Sequence, residues 1–447
     1  MRAFVISFVG LVALTLVAWA IRPGAGPAGK VPLVWVSDDN PARREQIALF
    51  NRLHPACDLS LDPDNNGMEK VIVQSVGGVG PDLFDCYSPF QLSSYVKAAV
   101  AWDLTDALVR AGVDVRRDVW DVAKAYVIYE GRVYGFPTNA CTDALWFNKE
   151  IFDQSGIPYP RAPWTWEEFL PLAKRLTVRE ANGRIRHFGF SFDSWAWKFF
   201  LTQWGGHVYS EDGTRCLVDA PEAIAAVEFM HDLIYKHKVM PSPSEEEALA
   251  QQGGWGSSTI KFLGAGRLAT AIGGRWWLCT LRNYEGLRLG AVESPHGPLR
   301  RYWSYARATL VNQSSPHRAE AVEFIRYLSG PEYNRLINQQ ADGLGPTARY
   351  ATGENLVNPR FPDEDFHAVF RDVMAYGVPD ETSPFVNAAV VDLILTKQLD
   401  LVRRDAKPPA DAMRTAAQEI RREMAKTLQR DPALCVRYEA LTGRGRP

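Results

Sequence analysis

Leu33-Val34-Trp35-Val36-Ser37-Asp38-Asp39-Asn40-Pro41 is the stretch on which the fold of this chain turns. Its first four residues, apolar and rich in β-branched and aromatic side chains, read as a short buried strand. The strand stops in a polar run, where Asn40 suits a helix N-cap and Pro41 suits the first helical turn. Ile47, Phe50 and Leu53 then recur at helical spacing, which predicts a helix to about His54. Asp58-Leu59-Ser60-Leu61 alternates like a strand and is halted by Pro63. Met68 to Val76 predicts a second helix, and Gly77-Gly78-Val79-Gly80-Pro81 leads into a third strand, Asp82 to Cys86. Strand, helix, strand, helix, strand predicts an α/β fold built on a parallel sheet with right-handed crossovers.

That topology carries a functional expectation. In open α/β sheets, ligands bind beyond the carboxyl ends of the strands, where the strand order reverses. Those ends hold Ser37, Asp38, Asp39 and Asn40 after the first strand, and Asp85, Tyr87 and Ser88 after the third. Asp38 and Asn40 can equally serve as helix caps alone. For Asp85 and Tyr87 no helix start follows at once, so capping explains them less well.

Further out, 447 residues are too many for one ordinary core and suit two lobes. A hydrophobic fraction of 46% with 23% charged residues belongs to a folded chain, and a net charge of −2 predicts no strong pull toward nucleic acid or anionic membrane. No basic block interleaved with aromatics occurs, so nucleic acid is not an expected partner. Fourteen tryptophans and sixteen tyrosines are many, and such rings suit a protein that grips polar ligands by their apolar faces. At the N-terminus, Arg2 precedes an apolar run from Ala3 to Ile21, and Ala18-Trp19-Ala20 has the small-x-small pattern of a cleavage site. Residues 1–21 therefore read as a secretory signal, or, since the run nearly spans a bilayer, as an uncleaved membrane anchor. Residues 22–30 form a Gly/Pro/Ala tether. Six widely spread cysteines (Cys57, Cys86, Cys141, Cys216, Cys279, Cys435) contain no CxxC pair and read as buried small hydrophobes.

The second half continues in α/β style. Thr138 to Asp143 is a polar segment inside a strand-like stretch that ends at Trp146-Phe147. Thr165-Trp166-Glu167-Glu168-Phe169 has the form of a helix start with acidic residues in its first turn. Pro221 to Lys236 and Pro316 to Leu328 read as amphipathic helices, and Met413, Ala417, Ile420, Met424 and Leu428 make one apolar stripe. Between them a helix after Ile260 gives way, past Gly264 and Gly266, to a strand ending at Gly273-Gly274-Arg275-Trp276-Trp277. Adjacent tryptophans on a strand face opposite sides, so only one of this pair is expected to reach a cleft.

Catalytic signatures are missing. There is no HExxH, no Walker loop and no GxSxG elbow, and Gly77-Gly78-Val79-Gly80 only weakly echoes a phosphate loop. The eight histidines show no ligand spacing; His231 and His237 would face different sides of a helix. No cofactor, metal or catalytic residue is expected. A carbohydrate-active enzyme using Asp38 and Asp85 as paired carboxylates is a lesser alternative.

The ordered set of motifs resembles the extracellular solute-binding proteins of ABC importers of sugars, the maltose-binding-protein-like family. The resemblance rests on Tyr134-Gly135-Phe136-Pro137-Thr138-Asn139 running through Asp143 to Lys149, on Thr165 to Phe169, on Pro81-Asp82-Leu83-Phe84, and on Phe262 to Trp277 with its Gly-Gly-Arg-Trp end. Ala319 to Glu332 and Lys407 to Leu428 extend it over nearly the whole mature chain. It implies a type II periplasmic binding protein fold, with two α/β lobes, a hinge and a ligand cleft between them. One lobe would comprise residues 31–139 plus 296–345 and the other 140–295 plus 346–440, with crossings near 137–143, 291–297 and 343–349. The implied ligand contacts are Asp38, Asp39, Asp85, Tyr87, Asn139, Asp143, Trp195 and Trp276, with Trp303 a further one. Trp197 would share a face with Trp195 if that segment is a strand, and Arg275 is expected to pair with a carboxylate of the protein. The implied function is capture of a small polar solute, a sugar or oligosaccharide, by an exported monomer that delivers it to permease subunits. A membrane-tethered sugar-sensing receptor is the other reading if residues 1–21 are retained.

Those residue types suit sugars. Asp and Asn can pair with adjacent hydroxyls, at about 1.5–3 kcal/mol for a hydrogen bond to a charged group. Trp and Tyr faces cover the apolar C–H patches of a sugar ring and exclude water.

Overall fold

A computed structural model describes residues 29–181, 185–249 and 257–443. The opening segment is as expected: strand β1 (Val31–Val36), helix α1 (Ala42–Leu53), strand β2 (Cys57–Asp62), helix α2 (Met68–Val76) and strand β3 (Leu83–Cys86). β1 pairs in parallel with β2 on one side and β3 on the other. The strand order therefore reverses at β1, and the carboxyl ends of β1 and β3 open side by side. Leu33, Trp35, Leu83 and Phe84 are fully buried and pack with Phe50 and Phe324 in the first core.

Beyond β3 the sheet becomes mixed. Strand β4 (Gly135–Asn148) is buried along all 14 residues. Its first half pairs antiparallel with a later long strand, and its second half with β5 (Thr270–Gly274) and β6 (Leu289–Val292). That later strand, β7 (Tyr302–Val311), pairs with β3 at Ala308 to Val311 and with the short β8 (Gly377–Val378) at Tyr302 and Trp303. β4 and β7 thus run from one lobe into the other and join all eight strands into one sheet.

The middle of β4 marks the crossing. Asn139 to Cys141 lie beside Tyr305 to Arg307 on one edge, and Ala140 bridges Leu344 on the other. The crossing expected near 291–297 falls on the end of β6 and the loop that leads to β7. Pro295-His296-Gly297-Pro298 looks like a hinge loop by composition, yet its backbone is engaged on the second lobe. His296 N donates to Trp164 O at 3.1 Å, and Trp166 N donates to His296 O at 3.2 Å.

The second lobe buries its helices α3 (Pro221–Tyr235), α4 (Ala388–Arg403) and α5 (Pro409–Arg430) around the stripe that includes Met413, Ala417, Ile420, Met424 and Leu428. Helix Trp166–Arg175 starts in a capping box, with Thr165 N donating to Glu168 Oε2 at 2.7 Å. All six cysteines are unpaired thiols, five of them buried and Cys279 partly so. The signal or anchor segment 1–21 and residues 22–28 of the tether lie outside the described residues. Among the described residues no helix is long and apolar enough to cross a membrane.

Candidate ligand-binding cleft

The cleft opens where β1, β3, β4 and β7 meet. It holds a cavity of about 420 Å³ whose walls differ in chemistry. One wall is polar and belongs to the strand ends: Asp38 and Asn40 after β1, Tyr87 after β3, Asn139 in β4, Arg307 in β7, and Asp342. The other is aromatic, with Trp195, Trp276, Trp303 and Tyr305.

The polar wall is a preformed network. Arg43, on the first turn of α1, is fully buried and reaches Asp342 Oδ2 at 2.5 Å and Asp38 Oδ1 at 2.7 Å. Burial alone would lower its pKa, but the carboxylates of Asp342, Asp38 and Asp85 together raise it well above the ordinary value. Arg307 stands 3.5 Å from both Asp38 and Asp342 and 3.3 Å from Asp85. Asn40 does two jobs: its Oδ1 accepts from Ala42 N at the start of α1, and its Nδ2 donates to Asp342 Oδ1 at 3.0 Å. Asn139 likewise ties the crossings together, donating to Asp342 O and accepting from Arg307 N, each at 3.0 Å. Of the three carboxylates, only Asp38 keeps appreciable side-chain exposure, 28%, at the cavity.

Asp85 lies beneath this surface. Its carboxylate accepts from Trp35 Nε1 at 2.8 Å, Ser37 Oγ at 2.5 Å and Thr309 Oγ1 at 2.6 Å. Burial pushes its pKa up to about 7, against the opposing pull of Arg43 and the two hydroxyls. Asp143 is also buried, and it holds the aromatic wall from behind by accepting from the Tyr305 hydroxyl at 3.0 Å.

On the aromatic wall, Trp195 is 45% exposed, which is unusual for so large an apolar ring. Its ring centroid lies 5.6 Å from Trp303, 5.7 Å from Tyr305 and 6.4 Å from Trp276. The condition under which Trp195 and Trp197 would share a face is not met: Ser194–Trp197 is a 3₁₀ turn, which exposes Trp195 while burying Trp197 to 4%. β5 also ends earlier than expected. Arg275–Trp277 form a 3₁₀ turn that sends Trp276 to the cleft and Trp277 into the core. Gly273 and Gly274 make this possible, since a Cβ on Gly273 would stand 2.1 Å from the Trp277 ring and one on Gly274 2.3 Å from Trp276 Nε1. Arg275 finds no carboxylate; its guanidinium donates to the carbonyls of Gly343, Asn338 and Leu356 and to His367 Nδ1. At the far rim Asp380 accepts from Trp303 Nε1 at 3.0 Å and from Tyr126 at 2.9 Å, and pairs with Lys198 at 2.6 Å.

Residues 36–335 match the model of the bacterial extracellular solute-binding proteins. The chain belongs to that family. It is a family of binding proteins rather than enzymes. Among curated relatives, an arabinooligosaccharide-binding protein of Halalkalibacterium halodurans is 22% identical over 309 residues, 66% of each chain, so this binding protein spans just under two thirds of that relative. The two-lobed fold is shared with an ABC substrate-binding protein of Listeria monocytogenes in complex with cycloalternan, at 20% identity and a TM-score of 0.74 over 88% of this chain and 99% of that one. A maltose-bound MalE3 of T. maritima superposes at 20% identity and a TM-score of 0.71 over 87% and 99%.

In this binding protein Asp38, Tyr87, Asn139, Trp195, Trp276 and Trp303 line the cleft, whereas Asp39, Asp85 and Asp143 do not. Asp39 is turned to solvent beside Asp38, which Arg43 draws inward. Asp85 and Asp143 are one layer down, supporting rather than facing the cavity. Arg307, Tyr305, Asp342 and Asp380 went unnoticed in the sequence. The strand alternation Trp303-x-Tyr305-x-Arg307 was the available signal for two of them, because period-two residues share a face.

Proposed function

We propose that this protein captures a carbohydrate, a sugar or short oligosaccharide, between its lobes and delivers it to the permease of an ABC importer. The observation that carries the reading is the opposition of the two walls. Asp38, held in place by Arg43 and Arg307 over the buried Asp342, presents a fixed acceptor for ring hydroxyls beside Asn139 and Arg307, and Trp195, Trp276, Trp303 and Tyr305 present apolar faces. The relatives named for arabinooligosaccharide, cycloalternan and maltose support the same class of solute.

The lobes are residues 31–139 with the later part of β7 to 345, and 140 to the start of β7 with 346–440. They close by bending at the middle of β4 and β7. The protein acts as an exported monomer, with residues 1–21 removed as a signal or kept as a tether.

A thermal-shift screen against mono- and oligosaccharides, polyols, amino acids and polyamines tests the reading. A ligand at one hundred times its dissociation constant adds about 2.7 kcal/mol of stability, enough to move the melting point. A carbohydrate hit recovered unchanged is the expected result. A hit confined to amino acids or polyamines overturns the assignment, and turnover of any sugar restores the enzyme alternative.

A further inference from the structure

Behind Trp195 the cleft does not end. A second cavity of about 270 Å³ lies between α3, α4 and the 3₁₀ turn at Ser194–Trp197. It shares Trp195, Trp197 and Asp392 with the cleft, so the exposed Trp195 ring stands between two adjoining spaces. Past that ring the lining changes character. Phe192, Met230, Ile234, Met240, Leu399 and Val402 make most of the wall; of the polar groups there, His231, Asp400 and Arg403 pair with Asp405, Arg404 and Glu246, although Arg403 Nε has no hydrogen-bond partner among the described residues.

Sugar hydroxyls would find few partners in such a lining, and burying them unpaired is costly. An alkyl or aryl group fits it. A dry cavity of about 150 Å³ lined by aliphatic and aromatic residues is enough to hold benzene. Met230 and Met240 are two of only seven methionines in the chain, and unbranched methionines suit a surface that must adapt to varied apolar groups.

We propose that the solute is an amphiphilic glycoside. Its sugar lies in the cleft and its alkyl or aryl aglycone passes Trp195 into this chamber. The assignment of the sugar half rests on the function proposed above; the apolar chamber is a separate claim and can be tested separately.

The test uses the full mature chain and matched methyl and hexyl glycosides of glucose, galactose and arabinose, titrated by calorimetry. At least one sugar is expected to bind at least tenfold more tightly as its hexyl form. That advantage is expected to vanish in Met230→Trp, which fills the chamber, and in Thr396→Trp, which narrows it from the exposed face of α4. A folded variant is recognised by an unchanged unfolding transition, and the two variants back each other. Equal affinities for hexyl and methyl forms, or an advantage that survives both variants, overturn the chamber. In parallel, 1-hexanol alone is added at low millimolar concentration. Stabilisation of the wild type but not of Met230→Trp supports the chamber even if every glycoside fails, which would then count only against the sugar. No differential effect of hexanol, together with silent glycosides, overturns both.

Discussion

Trp276 Nε1 lies 2.9 Å from the Tyr305 hydroxyl, to which it donates. Because that hydroxyl donates in turn to Asp143, an indole of the cleft wall is fixed by a buried carboxyl outside the cavity lining. Trp276 is therefore held in one orientation before any ligand arrives, and less entropy is lost on binding.

Removing this anchor should be costly. Trp276→Ala is expected to weaken carbohydrate binding at least tenfold, as central aromatic anchors often contribute about 2 kcal/mol or more. Trp276→Phe keeps a ring face but loses the donor, and its loss should be smaller. Calorimetry on the best sugar of the panel decides it; an unchanged affinity for Trp276→Ala would remove the residue from the binding wall.

Gly274→Ala tests the same wall without touching a ring. The added methyl would stand 2.3 Å from Trp276 Nε1 and 2.9 Å from the Tyr305 hydroxyl, so the indole must move. Affinity is expected to fall severalfold, with a stability loss of about 1–3 kcal/mol from the overpacking. Full affinity in this variant would mean that the orientation of Trp276 is unimportant.

Asp143 predicts a pH dependence. Burial pushes its carboxyl up to about 7, with Asp193 adding to the rise and the Tyr305 hydrogen bond opposing it. In the unfolded chain an aspartate ionises near pH 3.9. Between about pH 4 and 7 the folded state thus holds a proton that the unfolded state has lost, and stability falls as pH rises through that window. Melting curves of Asp143→Asn should lack this component and fall less steeply between pH 4 and 7 than the wild type. Parallel curves for the two proteins would show that Asp143 titrates normally.

Arg43 predicts an asymmetry between buried and surface pairs. Arg43→Ala strands Asp342, whose side chain is 3% exposed, and is expected to cost about 3–5 kcal/mol in urea unfolding. Arg288→Ala, which breaks a solvent-screened surface pair with Asp153, should leave the unfolding midpoint nearly unchanged. Similar costs for the two would contradict the account of the polar wall.

What the sequence revealed and what it hid follow from distance along the chain. The first sheet was legible because β1, α1, β2, α2 and β3 are local units, each with its own periodicity and stop signals. From that topology alone the ends of β1 and β3 could be named as the edge where a cleft opens, and Asp38 and Tyr87 line the cavity there. The depth of an aspartate was not legible. Asp39, Asp85 and Asp143 look alike as letters, yet one faces solvent and two are buried, where Trp35 and Tyr305, 50 and 162 residues away, bond Asp85 and Asp143 respectively. Asp342 and Asp380 escaped notice for a related reason: their partners Asn40 and Tyr126 are 302 and 254 residues away. The backbone bonds of His296 to Trp164 and Trp166 were hidden by composition, since Pro and Gly mark a loop but not where its backbone is engaged.

The register of β7 slips between Arg307 and Ala308, where the strand crosses from one lobe to the other. Such a slip is where a strand bends most readily. Arg307 is also the side chain that faces Asp38, Asp85 and Asp342 across the polar wall. If the lobes close at this slip as proposed, the joint and the recognition surface share Arg307: a change there that accepts a new solute would also reset how far the jaws rest apart, and stiffening the joint to make a reporter would change what it reports.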